Sequence, residues 1–141
     1  MNNSLQKTIL SGFAATVVMT VVTYLAPMMG LPKMSVPEML SGMTGFPIVV
    51  GWIMHFMIGT IFAFGYSFLF APFVKIQNLV VKGAVFGFTV FIFAQIAMAM
   101  MNLIMGVMPA PEGGMMLMII GSIIGHIMYG IPVALIAKPQ Q

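Results

Sequence analysis

Two histidines are the only imidazoles in this 141-residue chain, and each opens the same five-residue pattern, His-x-Met-x-Gly: His55 with Met57 and Gly59, then His126 with Met128 and Gly130. Imidazole nitrogen binds copper, and thioether sulfur suits its soft monovalent ion. His55, His126, Met57 and Met128 are therefore candidate metal ligands. Two imidazoles on facing helices of a bundle also suit haem b, whose iron takes axial histidines. The chain has no arginine to hold haem propionates, which leaves Trp52, Tyr129 and Lys33 as substitutes. Either cofactor would point to respiratory-chain assembly or electron transfer. The competing role is structural: each imidazole hydrogen-bonds polar side chains of neighbouring helices, for which Gln95, Asn102, Thr20 and Thr23 are the candidates, and so acts as modest interhelical glue.

Glu38 and Glu112 are the only acidic residues, and each follows a proline. A Met-Gly pair precedes each of these Pro-Glu pairs, Met29-Gly30 before Pro37-Glu38 and Met105-Gly106 before Pro111-Glu112. The glutamates suit solvated outer loops. They also allow a small transporter or channel subunit with carboxylates at its mouth and histidines as proton-sensitive groups inside. Four helices would need a dimer to enclose much of such a path. Hydrolytic and nucleophilic catalysis are disfavoured, because the chain has no Asp or Cys and no serine arranged with a base and an orienting group. The expectation is a non-enzymatic protein.

With 61% hydrophobic and 5% charged residues, the chain cannot present a polar surface to water. Four apolar runs, about Thr8 to Met29, Ile48 to Phe73, Leu79 to Met105 and Met115 to Ala137, each exceed the roughly 18 residues of a membrane-helix candidate. The expected fold is all-α, an integral membrane four-helix bundle filling residues 1–141 as a single transmembrane domain. Lys7, Lys75, Lys82 and Lys138 fall on one side of the spans and Lys33 on the other, so the positive-inside rule puts both termini in the cytoplasm. A cleavable signal peptide over the first run is disfavoured by its length, by Pro27, and by its pairing with the third run. The net charge of +3 comes from lysines at helix ends and calls for no nucleic acid.

The shared order of Met-Gly, Pro-Glu and His-x-Met-x-Gly divides the chain into two repeats, 1–74 and 75–141, each a transmembrane hairpin. A two-helix unit preserves membrane orientation, so the hairpins should be parallel-related about an axis along the membrane normal, with the histidines facing the interior. Counted along the helices, His126 should lie about one helical turn deeper than His55. Small residues give each helix a close-packing seam: Gly12 and Thr16, Gly51 and Gly59, Gly83 and Gly87, Gly121 and Gly125. Residues Gly30 to Pro47 form an amphipathic loop, with a short helix capped by Ser35 and carrying Pro37 in its first turn. Of 18 methionines, all but Met1, Met19 and Met128 lie in the outer halves of the runs or the outer loops.

The segments from Ala26 to Met34, Gly51 to Gly59 and Gly125 to Gly130 resemble a group of small bacterial four-helix membrane proteins that carry only an uncharacterised-domain label. The resemblance implies a bacterial inner-membrane location and assigns no activity or site. The favoured role is an accessory or interaction subunit in the lipid bilayer, with a membrane protein or a second copy as partner.

Overall fold

The computed structural model describes residues 3–106 and 114–137. A chain in hydrocarbon must satisfy its backbone polar groups internally, and helices do so within one segment. The described residues are accordingly mostly helical, with no strand among them. Helix α1 spans Asn3–Leu25 and tightens into a 3-10 turn, Ala26–Met29, where Pro27 enters. Gly30, at φ 79°, turns the chain out and returns its N–H to Ala26 and Pro27. Helix α2, Val36–Thr44, follows in the connecting loop. Ser35 caps it by accepting the Glu38 N–H, a proline stands in its first turn, and Gly45 ends it at φ 72°.

Helix α3, Ile48–Gly65, continues through a π-helical turn, Tyr66–Phe70, into α4, Ala71–Phe73. Pro72 cannot donate to the carbonyl four residues back and its ring crowds that carbonyl, so the helix widens just before it. Helix α5, Leu79–Met105, starts at Asn78, whose side chain accepts the Val80 and Val81 N–H groups. Helix α6, Met115–Ile136, contains Pro132. Four stretches are long and apolar enough to cross a membrane: Ser4–Met29, Ile48–Phe73, Leu79–Ile104 and Met115–Ile136.

Helix α1 packs between α3 and α6, α5 packs on α6, and α2 lies on α3. Glycines set these distances. A Cβ on Gly12 would come 2.7 Å from Thr60 Cα, and one on Gly83 would come 2.6 Å from Ile131 Cα. Gly51 likewise has no room for a side chain beneath Pro37 of α2. At the end opposite α2, Thr8 Oγ1 meets Ser67 Oγ at 3.0 Å. There Lys82 Nζ donates to Ala71 O at 2.9 Å, and the Tyr66 and Phe86 rings meet edge to face with centroids 5.0 Å apart. Lys7, Lys75 and Lys82 therefore share one end of the bundle and Lys33 stands at the other. The buried core includes Ala15, Met19, Ala63, Tyr66, Phe86 and Tyr129. The outward faces are apolar, as lipid requires, and toward the α2 end α5 is widely open, with Leu103 at 87% exposure.

Candidate functional site

Gly51, His55, Gly59 and Ala63 recur every four residues and are the buried residues of α3. This spacing keeps them on one helical face, and Gly12 and Thr16 of α1 pack against it at Gly59. His55 is 6% exposed, and its Nε2 lies 3.0 Å from Thr20 Oγ1. The Thr20 hydroxyl gives its one hydrogen to Thr16 O at 2.7 Å. Its oxygen must then accept from His55, so His55 carries its proton on Nε2 and leaves Nδ1 as the bare nitrogen. Trp52 and Phe56 border the ring.

His126 uses the opposite tautomer. Its Nδ1 lies 2.7 Å from the Ser122 carbonyl, which can only accept, so Nδ1 is protonated and Nε2 is bare. Phe91 of α5 stands edge-on to the ring, with centroids 5.9 Å apart. The residue before it, Gly125, faces α1: a Cβ there would meet Thr23 Cγ2 at 2.9 Å and Met19 Cε at 3.7 Å. His55 and the residue before His126 therefore meet the same turn of α1, His55 from the α3 side and Gly125 from the α6 side. This corrects the deeper placement of His126 expected from residue counting; a count within each helix ignores how far neighbouring helices slide past one another.

The remaining sequence candidates disperse. Met57 is 52% exposed and Met128 half-buried. Each lies two residues from its histidine, which is about 200° around a helix, so neither shares the imidazole's direction. Gln95 and Asn102, expected in the interior, lie on the exposed surface of α5. That helix turns Gly83, Gly87 and Val90 inward instead, and the two amides fall on one flank of this seam. Thr23 is buried and bonds back to Met19 O and Thr20 O. Glu38 is exposed and pairs with Lys33 at 3.2 Å; Glu112 lies outside the described residues. A surface hollow of about 290 Å³ near Tyr24, Met28 and Lys33 is lined by neither histidine.

Residue types alone did not single out Met19, Ser122 or Tyr66. Met19 is 8% exposed and lies against Gly125, the residue before His126. Its signal was its place beside Thr16, Thr20 and Thr23, on the one helix whose hydroxyls mark its buried face. Tyr129, named only as a propionate substitute, instead donates its hydroxyl to Gly59 O, tying α6 to α3.

Among the described residues no three His, Cys, Asp or Glu side chains gather as a metal site. Haem ligation through both Nε2 atoms would require His55 to give up Thr20.

No curated protein and no solved structure matches the chain. A family described as being of unknown function, DUF6789, matches residues 2–138, nearly the whole sequence, and the chain belongs to that family.

Proposed function

We propose that this protein is a small non-enzymatic accessory subunit of a bacterial inner membrane, which docks a membrane-protein partner along α5. One observation carries the reading. Gln95 is exposed inside a membrane span and makes no hydrogen bond among the described residues. An amide in hydrocarbon seeks a partner, and polar side chains across membrane helices supply such pairing at about 0.6 kcal/mol each. Asn102 is exposed two turns further along the same face. The shared end occupied by Lys7, Lys75 and Lys82 favours cytoplasmic termini. The inner-membrane location rests on the resemblance to small bacterial membrane proteins, and the two hairpins are read as products of duplication.

The test is a photo-crosslinking residue at position 95, compared with one at Val21, which is 50% exposed on α1. In native membranes position 95 should yield a discrete protein adduct and position 21 only lipid. An adduct of twice the chain's mass would identify a second copy as the partner, and a different mass another protein. Lipid adducts alone at position 95 would overturn the proposal.

A further inference from the structure

We propose that His55 and His126, together with the thioether of Met19, bind a soft monovalent metal ion, Cu(I). Each ring already commits one N–H, His55 to Thr20 and His126 to the Ser122 carbonyl. Each therefore keeps one bare nitrogen. Anchoring one ring nitrogen to an oxygen acceptor while the other faces the ion is how proteins orient histidine ligands. Here both anchors are in place, and one turn of α1 carries both Thr20, which bonds His55, and the buried Met19, which lies against Gly125, the residue before His126.

Charge selects the ion. The described spans contain no carboxylate, and the chain's two acidic residues, Glu38 and Glu112, lie outside the spans. Two neutral imidazoles and a thioether offset none of the charge of a buried dication, whose desolvation cost rises with the square of its charge. A monovalent ion carries the smaller penalty, and thioether sulfur with imidazole is the donor set that suits Cu(I).

Methionines also mark an approach. Gly121 and Gly125 lie one turn apart on α6, and each leaves room for a methionine side chain. Met34, from the loop before α2, lies against Gly121, and Met19 lies against Gly125. The two thioethers thus form a line from the loop end of the bundle to the residue before His126. This site does not depend on the docking role of α5.

The full-length protein, purified in detergent under anaerobic conditions, is titrated with Cu(I) against the competing chelator bicinchoninate. One ion per chain is expected to resist the competitor. His55→Ala and His126→Ala should each weaken binding by at least about tenfold, and the double variant should bind none. Thr20→Val keeps all three ligands but removes the His55 anchor, and should cost roughly tenfold, the lower end for loss of such a support. Metal lost equally to the competitor from the wild type and the double variant, or retained equally by both, would overturn the proposal. X-ray absorption of the Cu(I)-loaded wild type decides the matter even where a variant fails to fold. Mixed nitrogen and sulfur ligation is the expected spectrum, and sulfur-only ligation would place copper among the surface methionines and sink the paired-histidine site.

Discussion

In the hairpin of α1 and α3, Gly12 rests on Gly59 and Thr60; in the hairpin of α5 and α6, Gly83 rests on Gly130 and Ile131. Every residue of the second contact lies 71 positions after its counterpart in the first (12 to 83, 59 to 130, 60 to 131). The same step carries His55 to His126, Thr16 to Gly87 and Thr20 to Phe91. At the last pair the chemistry diverges. Thr20 hydrogen-bonds His55, whereas Phe91 offers His126 only a ring edge, and His126 donates to its own helix instead. One backbone contact thus supports two polar solutions. The first hairpin places hydroxyls in its seam, while the second clears the seam with glycine so that α5 lies directly on the backbone at His126.

That contrast is broken most forcefully at its two equivalent glycines. A Cβ on Gly130 would strike backbone on α5, coming within 2.7 Å of Gly87 Cα, whereas one on Gly59 would strike the Thr16 side chain. Backbone cannot move aside without separating the helices, but a side chain can be replaced. Gly130→Ala is expected to destabilise the bundle by about 3 kcal/mol, the upper end for overpacking, and Gly59→Ala by nearer 1 kcal/mol. Adding Thr16→Gly should rescue Gly59→Ala, because it removes the side chain that the new Cβ strikes. Equilibrium unfolding in mixed detergent micelles measures all three. Equal costs without rescue would mean that the hairpins do not differ in how their seams are filled.

A smaller effect isolates the polar difference. Thr20→Val removes the oxygen that accepts from His55 Nε2 while keeping the side chain's shape. The expected loss is about 0.6 kcal/mol, the average for such bonds in membrane helices. No residue of α5 plays this part for His126, so Phe91→Leu should leave the His126 bond to Ser122 intact, as read from the imidazole resonances in NMR. A changed His126 tautomer in that variant would show that the second hairpin also depends on its neighbour.

The spans, the loop helix with its Ser35 cap, and the glycine seams were legible in the sequence because each follows from local chemistry: apolar length, a capping oxygen, a missing side chain. The position of the amides was not. Gln95 suggests an interior by type, but only the rotation of α5 decides its direction, and a helix apolar on every side gives little sign of that rotation. The common level of the two histidines escaped for a related reason. Depth depends on how far one helix slides against another, and that is fixed by contacts such as Gly125 with Met19, between residues more than a hundred positions apart. Met57 and Met128 stood beside the histidines in sequence but point elsewhere, whereas packing brings Met19 against Gly125, the residue before His126.

The smallest expected effect has the opposite sign, and it lies where the hairpins meet rather than within either one. Tyr66 and Tyr129 are both buried, at 0% and 2% exposure. The Tyr129 hydroxyl donates to Gly59 O across the bundle, while the Tyr66 hydroxyl, in the π-helical turn against Phe86, has no hydrogen-bond partner among the described residues. A buried hydroxyl left unpaired gives up its hydration without return, and removing it is neutral or stabilising. Tyr66→Phe should therefore raise unfolding stability by a few tenths of a kcal/mol, about half a typical hydrogen bond. It keeps the edge-to-face contact with Phe86, so the stacking between hairpins is held constant and the measurement reports the hydroxyl alone. A loss of stability would instead mean that this hydroxyl is bonded in the membrane, making the junction between the hairpins polar at both tyrosines rather than at Tyr129 only.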